Sequence, residues 1–128
     1  MNKNKITYGI IAIVIVIIAV GAIIFWPKGG ASNSQNSDII LYYGNTCPHC
    51  KIVEDFISQN NIAQKVSFQN KEVYQDKNNA LELAVKAQKC SIATDSIGVP
   101  FLWDGANSKC YVGEPDITQL FKDKAGIK

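Results

Sequence analysis

The sequence predicts an α/β domain over Asp38 to Lys128, in the order βαβαββα, placed after an apolar N-terminal helix. Three observations carry that expectation. The continuous apolar run Ile39-Ile40-Leu41-Tyr42-Tyr43 leads through Gly44-Asn45-Thr46 into Cys47-Pro48-His49-Cys50, a strand running straight into a helix start. Two segments, 48–59 and 78–89, repeat residues at helical spacing. Residues 100–112 form two short strand-like runs around the turn-forming Asp104-Gly105-Ala106-Asn107.

Before the domain come three shorter pieces. Residues 1–5 carry Lys3 and Lys5, and no charge follows from Ile6 to Trp26. About twenty apolar residues at 1.5 Å rise make roughly 30 Å of helix, the depth of a bilayer core. Residues 6–26 are therefore expected to be a transmembrane anchor, its N-terminus cytoplasmic by the positive-inside rule and Trp26 at the far interface. A cleavable signal peptide is the competing reading. The stretch is longer than an ordinary h-region, and no A-x-A-like site precedes a plausible cut. Pro27 to Ser37 is small and polar, a flexible tether with a reach of about 18 Å.

In the domain, Ile39 to Tyr43 suits a strand buried on both faces. Pro48 to Gln59 is a helix placing Cys50, Val53, Ile57, Ile52 and Phe56 at helical spacing. A short second strand is expected at Val66 to Phe68. Asn78 to Lys89 is rich in helix formers, with a repeat at Leu81, Ala84, Val85 and Gln88. Pro100 to Trp103 and Lys109 to Val112 make a β-hairpin, and Glu114-Pro115-Asp116 opens a last helix ending near Lys124. The first crossover implies a parallel strand pair, the hairpin an antiparallel one. Thirteen basic residues stand against eleven acidic ones without a basic cluster, so nucleic acid is not suggested as a partner.

Cys47-Pro48-His49-Cys50 carries the chemistry. Pro48 suits the first helical position, where no backbone donor is lost. The unpaired N–H groups and positive end of that helix favour thiolate over thiol at Cys47, and a protonated His49 adds positive charge. Cys47 is thus expected to be the nucleophile and Cys50 the resolving thiol. A zinc half-site usually needs a second ligand pair, and a structural disulfide needs no helix start between strand and helix.

With that motif after the first strand, residues 38–128 resemble the thioredoxin superfamily in its small, glutaredoxin-like form. The segments 43–50 and Ile97-Gly98-Val99-Pro100-Phe101 carry the resemblance. It implies a cis-proline at Pro100, lying against the CxxC motif, with the backbone of Val99 presented to a bound substrate strand. The Pro48-His49 pair is similar to that of DsbA-type periplasmic oxidases, and Glu54 matches an acidic position in them. One turn beyond Cys50, Glu54 could relay a proton, its other reading being a solvated helix carboxylate. The helical insertion of DsbA proteins is missing, and glutaredoxin's Gly-Gly before the last helix is here Gly113-Glu114.

Cys90 and Cys110 leave three readings open: a structural disulfide, a second redox pair exchanging with Cys50, or a four-thiolate metal site with Cys47 and Cys50. Compartment and spacing favour the first. The expectation as a whole is a single-pass membrane protein whose C-terminal domain is an extracytoplasmic thiol–disulfide oxidoreductase, leaning to oxidase or isomerase. No cofactor beyond the redox disulfide and no metal is expected. The expected partners are thiol- or disulfide-containing proteins and a quinone- or transporter-linked membrane protein. A reductase fed by a membrane electron carrier and a non-enzymatic metal-binding module are the alternatives.

Overall fold

The computed structural model describes residues 38–128. The expected anchor (6–26) and tether (27–37), with residues 1–5, lie outside the described residues. Among those described, no helix is long and apolar enough to cross a membrane.

The described residues form a mixed four-stranded sheet with four α-helices. Strand β1 (Ile39–Tyr43) leads to α1 (Pro48–Gln59), the one-turn α2 (Ile62–Lys65) and β2 (Gln69–Glu72). Helix α3 (Lys77–Lys89), a 3-10 turn at Thr94–Ser96, the hairpin β3 (Phe101–Asp104) and β4 (Lys109–Val112), and α4 (Glu114–Ala125) complete it. The sheet order is β2-β1-β3-β4. As expected, β1 and β2 are parallel and β3 and β4 antiparallel; β1 also pairs antiparallel with β3, Leu41 opposite Leu102.

Alternation along the two central strands divides the core. Ile39, Leu41 and Leu102 face Val53 of α1, Ile62 of α2 and Ile117, Leu120 and Phe121 of α4. Ile40, Tyr42, Phe101 and Trp103 face Leu83 and Ala87 of α3. Both faces of β1 are covered, which is why its sequence is apolar throughout.

Three expectations need correction. The second strand begins at Gln69, not Val66. Ile62 and Val66 are an i,i+4 pair closing the turn of α2, with the Val66 N–H donating to the Ile62 carbonyl at 2.8 Å, and both enter the core. Strand β2 itself is Gln-Asn-Lys-Glu, an edge strand carrying no apolar signal.

Helix α3 is rotated from its expected orientation. Leu83 and Ala87 are buried, whereas Leu81 and Val85 are 68% and 53% exposed. Tyr42, Phe101 and Trp103 fill the sheet's side of this layer, and the helix meets them with Leu83 and Ala87. Its rotation is fixed by polar and covalent ties. Asp76 caps its N-terminus, Glu82 binds both the Tyr42 hydroxyl and Lys71, and Cys90 is bonded to Cys110. Ile52 of α1 is likewise exposed, while Cys50 and Val53 form the buried face.

Strand β3 starts at Phe101 and includes Asp104, which was expected to be turn. Asp104 is fully buried beneath an ion pair with Lys124 of α4 (3.0 Å) and accepts from the Asn107 amide (2.9 Å). Burial alone pushes its carboxyl upward, but Asn107 and Lys124 outweigh that and hold it below the ordinary aspartate value. This anchor lies at the end of β3 away from Pro100.

Candidate active site

The site forms where β1 ends and α1 begins. The Cys47 N–H donates to the Gly44 carbonyl (3.1 Å), closing the turn that carries the chain from sheet to helix. A second loop braces it. Glu72, the last residue of β2, accepts from the backbone N–H groups of Asn45, Tyr74, Gln75 and Asp76. Desolvation raises the pKa of this carboxyl, yet the four amides prevail and hold it below the ordinary glutamate value.

Cys47 is the N-cap of α1 and Pro48 its first residue. Cys47 and Cys50 are disulfide-bonded, with Cα atoms 5.2 Å apart. The Cys50 N–H donates to Cys47 Sγ at 3.1 Å, so the helix N-terminus addresses this sulfur directly. Cys47 is 8% exposed and Cys50 2%, so both are buried and Cys47 is the less buried residue of the pair.

The Val99–Pro100 peptide bond is cis. The Val99 carbonyl oxygen lies 3.5 Å from Cys47 Sγ, and the Val99 N–H has no backbone partner among the described residues. A groove of about 340 Å³ runs beside this contact, bounded by Gly98, Val99 and Pro100 and by Val112, Gly113 and Glu114. The Gly113 N–H donates to the Pro100 carbonyl (2.9 Å) and ties the two walls together.

His49 also lines the groove, with Nδ1 2.8 Å from Glu114 Oε2. Glu114 was not singled out as a functional residue. Its sequence signal was Gly113-Glu114 replacing Gly-Gly, together with an acid at the start of α4; the pairing itself spans 65 positions and leaves no local pattern. Glu54 is exposed on α1, where its charge acts on Lys51, and no hydrogen bond joins it to Cys50 among the described residues.

Cys90 and Cys110 form a second disulfide, Cα atoms 6.1 Å apart, joining the end of α3 to β4. The four sulfurs thus make two separate pairs rather than the four-thiolate cage left open above. Among the described residues, no group of three or more His, Cys, Asp and Glu side chains is placed to hold a metal ion.

These residues define an α/β domain with a CxxC disulfide at a helix N-terminus, set against a cis-proline loop. None of the protein-family models compared with the chain matches it, and no curated protein is significantly similar.

Proposed function

We propose that this chain is a thiol–disulfide oxidoreductase of the thioredoxin superfamily, glutaredoxin-like in size, anchored by residues 6–26 with its domain outside the cytoplasm. The observation that carries the reading is Cys47: the less buried half of a CxxC disulfide, N-cap of α1, 3.5 Å from the Val99 carbonyl. A substrate thiolate attacks Cys47 Sγ, the bond to Cys50 breaks, and Cys50 takes the electron pair as the leaving thiolate. A second substrate thiolate then attacks the substrate sulfur of the mixed disulfide. Substrate disulfide is released, with Cys47 and Cys50 reduced. The Val99 N–H, without a backbone partner among the described residues, and the adjoining groove suit an extended substrate segment.

The helix N-terminus and His49 favour a Cys47 thiolate, which stabilises the reduced form and makes the disulfide oxidising. The proposed direction is therefore oxidase or isomerase, with re-oxidation by a quinone- or transporter-linked membrane partner. The equilibrium potential of the pair against glutathione tests it. A value near −270 mV, the thioredoxin range, turns the assignment to a reductase. Cys50→Ala should accumulate mixed disulfides through Cys47, and identification of the captured proteins names the substrates. Capture that survives Cys47→Ala in that background means another thiol is the nucleophile.

A further inference from the structure

His49 has two acidic neighbours, one along the chain and one across the fold. One is Cys47, two positions earlier at the head of the same helix, where reduction yields a thiol that the helix end favours as thiolate. The other is Glu114, whose carboxylate meets the imidazole at 2.8 Å in the disulfide form. The two partners differ in freedom. The His49 side chain is 71% exposed and that of Glu114 28%. Glu114 opens α4 between Gly113, whose N–H is bonded to Pro100, and Pro115. The carboxylate is the anchored member and the imidazole the movable one.

Among the described residues, Glu114 is the charged side chain that hydrogen-bonds to His49. The rest of the groove is Gly98, Val99, Pro100, Val112, Gly113 and Pro115, with no ionisable side chain. On α1, Lys51 is paired with Asp55 (2.8 Å). On α4, Asp116 lines a separate depression with Lys109 and Tyr111. Before the proline loop, Asp95 accepts from the Ser96 hydroxyl.

From this geometry we infer that Glu114 is a positioning residue for the redox pair: it holds His49 toward α4 and shares the imidazolium's charge with Cys47. The disulfide is thereby less oxidising than Cys-Pro-His-Cys alone would make it. The inference rests on the redox reading above. In equilibrium with glutathione, two glutathione thiols supply two electrons, one glutathione disulfide forms and the Cys47–Cys50 bond breaks. Cys50 ends as a thiol and Cys47 as a thiolate, the second proton going to solvent. Positive charge at His49 stabilises the product side, and a carboxylate occupying the same imidazole weakens that effect.

The test is Glu114→Gln in the full chain, with the glutathione equilibrium and the Cys47 thiolate titration as readouts. At about pH 6, where an imidazole carries charge, the equilibrium should move roughly tenfold toward reduced protein, about 30 mV. The Cys47 titration should fall by about one unit. At about pH 8.5, where an unpaired imidazole is neutral, the shift should shrink below about threefold. In a His49→Ala background it should disappear. A purely structural role for Glu114 would lower the melting temperature and leave both readouts unmoved. Identical equilibria at about pH 6, or an undiminished shift without His49, overturn the inference while leaving the redox reading intact. If the wild-type disulfide does not exchange with glutathione at all, the redox reading itself fails and this inference falls with it.

Discussion

The ring of Tyr74 occupies the space that a side chain at Gly44 would need. Gly44 begins the turn into Cys47, and Tyr74 belongs to the loop after β2, so two loops distant in sequence form one support for the CxxC motif. Glu72 locks them together by accepting N–H groups from both. The Tyr74 ring is nevertheless half exposed, held by the loop beneath it rather than by a surrounding core.

Gly44→Ala should therefore expel the ring. Overpacking of this kind costs about 1–3 kcal/mol, toward the low end here because the Tyr74 ring can swing into solvent. Since the obstacle is one side chain, Tyr74→Ala should remove most of the penalty. Urea unfolding of the two single variants and the double variant measures the coupling. A Gly44→Ala penalty that persists undiminished without Tyr74 would locate the constraint in the backbone instead.

Acid should weaken the fold through Glu72 and Asp104. Both carboxyls are held below their ordinary values, against the upward push of desolvation, by hydrogen bonds and, for Asp104, by Lys124. The native state then binds protons less tightly than the unfolded chain. Their stabilisation is full above the unfolded value of about 4 and is lost as pH falls through the lower folded values. Urea midpoints should be flat between about pH 7 and pH 5 and decline below about pH 4. Glu72→Gln should be weaker than wild type at neutral pH and converge with it in acid. A constant gap between the two curves would mean that the charge is not what Glu72 contributes.

The parts of this fold legible in sequence were those with a one-dimensional signature. Ile39–Tyr43 is apolar because both its faces are covered, and Pro48 starts α1 because the first helical position tolerates a missing N–H. Strand β2 had no such signature: Gln69–Glu72 owes its place to backbone pairing with β1. Helix α3 carried a misleading one, since Leu81 and Val85 repeat at helical spacing on the face that turns outward. The site divided in the same way. Cys47 and Cys50 are neighbours in sequence, but Glu114 reaches His49 across the fold, and only packing of α1 beside α4 creates that contact.

The rotation of α3 yields a paired prediction. Leu83→Ala removes a buried side chain packed against the sheet and should cost about 2–5 kcal/mol. Leu81→Ala, two positions away, should change stability by no more than about 0.5 kcal/mol. Thermal or urea unfolding of both variants decides which face is inside. Equal penalties would mean that α3 packs differently from the orientation described.

The Cys90–Cys110 bond should stabilise without taking part in exchange. It joins the C-cap of α3 to β4, closing a segment of 20 positions, and Cys110 lies opposite Trp103 in the hairpin, away from the Val112 end that borders the groove. A closed loop of that length restricts the unfolded chain by about 3 kcal/mol. The double variant Cys90→Ala, Cys110→Ala should lose about that much stability while keeping the wild-type equilibrium of Cys47–Cys50 with glutathione. Trp103 supplies an independent reporter, because a disulfide near an indole quenches its fluorescence and the double variant should brighten. The competing role, a second redox pair feeding Cys50, requires thiols to pass between the two sites. It would appear as a slowed re-oxidation of Cys47–Cys50 in the double variant, with stability little changed. Stability lost with exchange unaltered leaves the second disulfide as the brace that keeps α3 on the sheet, separate from any exchange at Cys47–Cys50.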